Sequence, residues 1–180
     1  MGALVVARAV SVDEYLSNPA YEHHEFVNGE VVALNVGSKP HGRIQGRCFR
    51  KLDEYLDTRS SGFAGTEVHC KLTICGEVRF RLPDVALVLN DPSPKSRYLE
   101  GAPDLVVEVS SPEDTVASLF RKMNDYFANG TKLAWVILPE EQTVFVLIPG
   151  SPILTFVAGE TLECTDIFPG LSVPVSELFA

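Results

Sequence analysis

Three side chains in this 180-residue chain have the types and spacing to cooperate chemically: Asp84, Glu108 and Lys122. Asp84 follows Pro83 at the start of an apolar run, and Glu108 sits near the end of the next confident one, Leu105-Val106-Val107-Glu108-Val109. If both runs are strands paired antiparallel, the start of the first lies beside the end of the second. Opposed residues then have Cα atoms roughly 4.5–5.5 Å apart. Two carboxylates that close repel unless a proton or a cation lies between them. Oxygen ligands at that spacing suit Mg²⁺ or Mn²⁺, with water filling the other positions. Asp104, in a second Pro-Asp pair, competes with Asp84. Four residues along one strand, at about 3.3 Å each, would put it roughly 13 Å from Glu108, too far to share an ion. Lys122 lies one turn from Leu119 and Tyr126, at the edge of a helical apolar stripe. Its stem can lie along the sheet and carry the ammonium to the carboxylates. Taken singly, each of these is an ordinary strand or flank residue; their order along the chain is the signal.

The elements that must position them follow from periodicity. Strands are expected over residues 67–74, 78–81, 84–89 and 104–109. A helix is expected over 113–129, where Val116, Leu119, Phe120, Met123, Tyr126 and Phe127 form the apolar stripe; Gly130 ends it. Leu133–Leu138 reads as a buried strand, so strand, helix and strand make a crossover between parallel neighbours. Upstream, Ser11 and Glu14 form a capping box for a short helix. Residues 25–34 read as a hairpin turning at Asn28-Gly29. A helix over 41–57 follows, with Ile44, Cys48, Leu52, Tyr55 and Leu56 at helical spacing and Arg43, Arg47 and Arg50 together on one face. Residues 62–66 break the pattern, 91–103 read as a loop, and from 143 onward short strands form a β-rich tail. The expected fold is α/β of the α+β kind: a mixed sheet with antiparallel strands and one crossover helix, flanked by helices. One domain is expected to span residues 1–180.

Composition narrows the class. With 46% hydrophobic and 22% charged residues, the chain can bury a core. Its apolar runs are far short of a membrane span. Residues 1–12 lack the charged start, apolar centre and cleavage site of a secretory signal, so a cytoplasmic protein is expected. Cys48, Cys70, Cys75 and Cys164 form no C-x-x-C pair and read as reduced, mostly buried thiols. Asn129-Gly130-Thr131 fits a glycosylation acceptor, but a helix-ending Asn-Gly is the simpler reading. The net charge of −9 opposes generic nucleic-acid binding. Its distribution softens this, because Lys39, Arg43, Arg47, Arg50 and Lys51 occur with no acid between them. A second basic group, Lys71, Arg79 and Arg81, precedes the candidate site. The apolar segments 144–148 and 153–157 could pair between two copies, giving a homodimer.

The order Glu25-Phe-Val-Asn-Gly-Glu30, His41, Pro83-Asp84, Gly101-Ala-Pro-Asp-Leu-Val-Val-Glu108-Val-Ser-Ser-Pro112, Lys122-x-x-x-Tyr126, Gly130 and Trp135 resembles the Uma-type family of "putative restriction endonucleases". That family belongs to the PD-(D/E)xK nuclease superfamily. The resemblance runs from about residue 11 to residue 148. It implies a restriction-endonuclease-like core, Asp84 and Glu108 as metal ligands and Lys122 as the catalytic lysine. Most of the superfamily places that lysine two residues after the acid; Ser110 stands there, and the family supplies the lysine from the following helix. An additional acid is implied upstream, with Glu30 the first choice and Glu25 the second. His41 is implied to contact a phosphate or orient water, with Arg43, Arg47 and Arg50 gripping the nucleic-acid backbone. Asn28 stands where the family often has Asp, and Leu138-Pro139 where it often has Asp-Pro. The implied activity is Mg²⁺-dependent (or Mn²⁺-dependent) hydrolysis of phosphodiester bonds, in DNA before RNA. The rival reading is a nuclease-fold binding or interaction module without turnover, favoured by the acidic balance and Ser110. No zinc finger or basic zipper is visible.

Overall fold

A computed structural model describes residues 9–34, 37–57, 59, 61–91 and 94–180. Residues 1–8, the start of the stretch assessed for a secretory signal, lie outside the described residues, as do 92–93 of the expected 91–103 loop. In chain order the elements are helix α1 (Val12–Ser17), strands β1 (His24–Val27) and β2 (Glu30–Ala33), helix α2 (Lys39–Leu56), and strands β3 (Phe63–Thr66), β4 (Cys70–Ile74), β5 (Glu77–Arg81), β6 (Val85–Val88), β7 (Leu99–Glu100) and β8 (Leu105–Val109). Helix α3 (Val116–Phe127) leads to strands β9 (Leu133–Leu138), β10 (Thr143–Leu147), β11 (Leu154–Val157), β12 (Thr161–Glu163) and β13 (Ser172–Pro174), and helix α4 (Val175–Phe179) closes the series.

Two sheets dominate, ordered β2-β1-β5-β4-β7 and β11-β10-β9-β8-β6-β3, with β12 and β13 a separate pair. The mixed α+β architecture matches the expectation. Strand β8 pairs parallel with β9 across the α3 crossover and antiparallel with β6. Being central, it is covered on both faces, which is why Leu105–Val109 is apolar nearly throughout. Its odd-numbered residues, with Val85 and Leu87, pack under Ile44, Cys48, Leu52 and Tyr55 of α2. On the other face Val106, Val88 and Val136 meet Leu119, Met123 and Tyr126 of α3. Side chains alternate along a strand, so Glu108 shares the α3 face with Val106. That alternation decides which helix can reach it.

Several expectations are corrected. Residues 62–66 do not merely interrupt the pattern, because Phe63–Thr66 is an edge strand on β6. Gly62 lets the chain enter it: its φ is +103°, and a Cβ there would lie 2.4 Å from the Val88 carbonyl oxygen. Leu99–Glu100, within the expected loop, pairs parallel with β4. The strand expected over 67–74 begins only at Cys70; at Glu67 φ is +51° and its N–H donates to the Pro83 carbonyl. Helix α2 begins at Lys39 behind Ser38, whose Oγ accepts the His41 N–H. Helix α3 begins at Val116, not 113, behind a capping box between Thr115 and Ser118. The tail ends in a helix where only strands were expected. Segment Val144–Leu147 cannot pair between copies, because β9 and β11 already flank β10. Of the two segments, the one holding β11 keeps an open edge, with Leu154 and Val157 exposed.

The hairpin turn at Asn28-Gly29 is as expected, with φ values of +54° and +80°. All four cysteines are free; Cys48 and Cys70 are buried, whereas Cys75 is exposed in the β4–β5 turn. Among the described residues no helix is long and apolar enough to cross a membrane.

Candidate active site

Strand register assembles the carboxylates. Asp84 directly precedes β6, and the β6–β8 pairing Val85↔Val107, continued by one residue, sets Asp84 opposite Glu108. Both then face α3. The Asp84 carboxylate is held on both oxygens: Oδ2 accepts the Val109 N–H at 2.6 Å, and Oδ1 lies 2.9 Å from His41 Nε2. Gln45, one turn after His41 on α2, donates to the Asp84 carbonyl at 3.0 Å. Glu108 is only 4% exposed. Its Oε1 accepts from the Tyr126 hydroxyl at 3.1 Å and its Oε2 from Lys122 Nζ at 3.2 Å. Lys122 and Tyr126 reach it together because residues four apart share a helix face.

A second carboxylate meets Lys122: Glu25 Oε1, at 3.3 Å. Glu25 is 2% exposed. The β1–β5 pairing Phe26↔Phe80, continued by one residue, sets it opposite Arg81. Arg81 Nη1 donates to Glu25 Oε2 at 2.7 Å, while its Nε and Nη2 donate to Asp125 Oδ2 at 2.9 and 2.6 Å. Arg79, on the same face of β5, donates to Asp125 Oδ1 at 2.6 Å. Because Asp125 follows Lys122 by three residues and adjoins Tyr126, the arginines fix the part of α3 that faces Glu108.

Two sequence assignments change. Glu30, the first choice for the additional acid, is exposed at the start of β2 and sits across the hairpin from Val27. Glu25, the second choice, is the one at Lys122, since β1 lies beside β5 whereas β2 is the sheet edge. Glu25→Gln is therefore expected to weaken activity roughly 10-fold or more through a misplaced Lys122, and Glu30→Gln to leave it unchanged. Steady-state cleavage rates of both variants check this, and equal losses would discredit the placement.

The arginine face of α2 also differs. Arg43 Nη2 donates to the Ala180 carbonyl at 3.2 Å and Arg47 Nη1 to the Leu178 carbonyl at 3.4 Å, while Arg50 pairs with Glu54. At 100° per residue these arginines point roughly 120–180° away from His41 and Gln45. The inward face of α2 serves the core and Asp84, so its arginines turn outward, and two of them cap the carbonyls ending α4. His41 contacts Asp84, whereas Asp104 accepts the Leu89 N–H and pairs with Lys132, away from the cluster.

Sequence reasoning missed Gln45, Asp125 and the hydroxyl role of Tyr126, and it treated Arg79 and Arg81 as a generic basic group. The available signals were the i, i+2 spacing of the arginines, which puts both on one strand face, and a carboxylate embedded beside the apolar stripe of α3.

Burial, reinforced by Asp84 and Glu25 and opposed by Lys122, pushes the Glu108 carboxyl up to about 7. Burial disfavours the Lys122 charge, but Glu108, Glu25 and Asp84 outweigh it and raise its pKa above the ordinary lysine range. The hydrogen bond to Asp84, against burial, raises His41. Glu25, Asp84, Glu108 and Asp125 thus face three fixed cations, Lys122, Arg79 and Arg81. Asp84 with Glu108 is an all-oxygen pair of the kind that suits a hard divalent cation. Among the described residues no group of three or more His, Cys, Asp or Glu forms a ready cage.

Comparison with known proteins places this arrangement. The family model described as "Uma2: Putative restriction endonuclease" matches residues 12–176. An uncharacterised protein of Synechocystis sp. (strain ATCC 27184 / PCC 6803 / Kazusa) is 26% identical over 177 residues, covering 94% of this chain and 91% of that protein. Among solved structures, a "putative nuclease belonging to DUF820" from Anabaena variabilis ATCC 29413 has the same fold. Its TM-score is 0.81 at 22% identity, over 94% of this chain and 97% of that one.

Proposed function

Because this chain belongs to the Uma2 family, described as "Putative restriction endonuclease", we propose that it is a metal-dependent endonuclease of the PD-(D/E)xK type that hydrolyses phosphodiester bonds in DNA. The observation that carries this reading is the Lys122 ammonium, 3.2 Å from Glu108 and 3.3 Å from Glu25. It supplies, from α3, the cation that the short motif would otherwise take from position 110, where a serine stands.

Asp84 and Glu108 would hold Mg²⁺, with Mn²⁺ as a substitute. When bound, such an ion supplies Lewis-acid polarisation of a phosphate and acidifies water. The chain's own groups do the rest. Lys122 has three N–H donors; two face Glu108 and Glu25, and the third serves a water or a phosphoryl oxygen on which charge develops. Tyr126 stops Glu108 from swinging away, and His41 with the Val109 N–H does the same for Asp84. Arg81 holds Glu25, and Glu25 sets the height of Lys122. The reading takes the chain as one nuclease-like domain acting in the cytoplasm. A homodimer would set two sites on one duplex; the open edge of β11 supports it, and sedimentation at several concentrations tests it.

The deciding experiment incubates the protein and Mg²⁺ with plasmid, linear duplex and single-stranded DNA. Cleavage that stops with a chelator is the expected result. Intact DNA and RNA alongside measurable Mg²⁺ binding would favour the module without turnover, a reading helped by the engagement of Arg43 and Arg47 with α4.

Metal binding should also depend on pH in a defined direction. Glu108 must be ionised to hold a cation, and its carboxyl sits at about 7 without one. Mg²⁺ affinity is therefore expected to rise roughly 10-fold per pH unit below that value and to level off above it. Calorimetric titration across this range checks it, and Glu108→Gln should bind weakly at every pH. In the metal-free protein the sign for stability is the reverse. A carboxyl raised from 4.5 contributes stability that is complete below 4.5 and is lost as pH rises through about 7.

A further inference from the structure

The six-stranded sheet ends at β11, and the hydrogen bonds there define how much of that edge is open. Val157 donates its N–H to the Glu160 carboxylate at 2.7 Å, and its carbonyl accepts the Glu160 N–H at 3.0 Å. Its backbone groups therefore point away from β10, so Thr143↔Val157 is a pair without mutual hydrogen bonds. Bonded and non-bonded pairs alternate along an antiparallel ladder. Phe156 and Leu154 accordingly bond Val144 and Val146 of β10, while Thr155 and, one step on, Ile153 turn their N–H and C=O groups outward. Glu160 closes the edge at Val157. At the other end Pro152 has no N–H, and Ser151 donates its own to the Ile148 carbonyl at 3.0 Å. The open part is the window Ile153-Leu154-Thr155, all three exposed.

That window complements itself. An antiparallel second copy, set with residue 153 facing residue 155, gives two hydrogen-bonded pairs, each exchanging both N–H···O bonds. Setting 155 against 155 would place 153 against Val157, whose backbone Glu160 already holds. Setting 153 against 153 would place 155 against the engaged Ser151. In the matched register Leu154 lies on the two-fold axis and meets the partner's Leu154 as a non-bonded pair, where side chains stand closest. Leu154 is 46% exposed and Ile153 47%, so both have apolar surface left to bury. Charge also favours a second copy. The chain carries a net charge of −9, yet no charged residue stands between Glu141 and Glu160. Two acidic molecules repel least where each is neutral, and no lysine or other charge in the window guards it against strand pairing.

We propose that two copies of this chain pair β11 with β11 across a two-fold axis at Leu154, residue 153 of each facing residue 155 of the other, joining their six-stranded sheets into one. Glu108 is level with Thr155 through the pairings Glu108↔Val136, Val136↔Phe145 and Phe145↔Thr155. Each carboxylate cluster therefore lies close to the line across the sheet that passes through the axis. Three strand spacings lead from β8 to β11, one crosses the axis and three lead back, so at about 4.8 Å each the two clusters are roughly 34 Å apart along the sheet. Neither cluster is part of the interface. The use of such a dimer, two sites in one assembly, rests on the nuclease reading above; the pairing itself does not.

The test is sedimentation equilibrium of the full chain, wild type and substituted at the axis, with folding checked by circular dichroism. The wild type is expected to dimerise reversibly. Leu154→Lys sets two ammonium groups face to face and should raise the dimer dissociation constant about 10-fold or more, as should Leu154→Glu. Mixing these two variants should restore dimers, because only a residue on the axis meets itself. Leu154→Cys, in a Cys75→Ser background that removes the exposed thiol, keeps the test open if the charged variants fail to fold. It should crosslink two copies on mild oxidation, whereas Ile153→Cys or Thr155→Cys alone should not. A dimer that folded Leu154→Lys leaves intact, with no Leu154→Cys crosslink, would overturn the pairing. A wild type that is monomeric at every concentration would overturn it too, and would leave the edge to an extended segment of another protein. Mg²⁺-dependent cleavage of single-stranded DNA, scored in the same preparations, reports separately. A monomer that cuts overturns the pairing alone, and a crosslinked dimer that never cuts upholds the pairing and overturns the nuclease reading.

Discussion

Glu108→Ala and Asp84→Ala are each expected to lower Mg²⁺-dependent cleavage by about 1,000-fold or more. A catalytic cation contributes several kcal/mol of transition-state stabilisation, and each 1.36 kcal/mol is a factor of ten in rate. With only two carboxylates at the open end of the cluster, losing either leaves too few ligands to keep the ion. Alanine at position 108 also strands two partners, the buried Tyr126 and the half-buried Lys122. Tyr126 loses the acceptor for its hydroxyl and Lys122 keeps only Glu25, and an unsatisfied buried hydroxyl costs about 1–3 kcal/mol. Glu108→Gln separates the effects, since its carbonyl still accepts from Tyr126 while the negative charge is gone. Single-turnover cleavage, read beside thermal unfolding, makes the measurement. A Glu108→Gln protein that folds and cuts at the wild-type rate would refute the assignment.

The second large effect is structural. Arg81→Met is expected to destabilise the protein by about 3–5 kcal/mol, because it leaves Glu25 and Asp125 buried with their main cation gone. For a chain of this size that corresponds to a fall in melting temperature of roughly 6–20 °C. The contacts are charge-assisted at 2.6–2.9 Å and both acids are nearly inaccessible, so water cannot substitute for the guanidinium. Arg81→Lys should recover only part of the loss, since an ammonium cannot span Glu25 and Asp125 with the guanidinium's fork geometry. The triple variant Glu25→Gln, Arg81→Met, Asp125→Asn should recover more than Arg81→Met alone, because no charge is then left unpaired. Chemical denaturation of these variants decides it. A loss under about 1 kcal/mol for Arg81→Met would show that the acids are solvated and that the ladder does not hold α3.

How much of this was legible beforehand varied with the distance over which each feature is encoded. The opposition of Asp84 and Glu108 was readable because one antiparallel pairing between strands close in sequence suffices to create it. The reach of Lys122 was readable because its place beside the apolar stripe depends on helical periodicity alone. Glu25 against Glu30 was not, although both lie in one six-residue motif. The choice rests on β1 pairing with β5, more than fifty residues on, and nothing in the hairpin specifies that neighbour. The arginine face of α2 shows the same limit from the other side. Its periodicity was correct, but what the face meets was set by α4, at the far end of the chain.

By itself, then, the sequence determined the local and periodic features of this protein. These are which residues share a strand or helix face, where the turns fall, that β8 and β9 are joined by a crossover, and which family motifs the chain carries. Only the tertiary structure decided which faces look at one another. It put Glu25 in place of Glu30, turned Arg43 and Arg47 toward α4 and joined Arg81 to Asp125. The physical reason is that side-chain direction follows from backbone periodicity within one element. The partner a side chain meets follows from strand order and helix rotation, which are set by burial of the whole core at once.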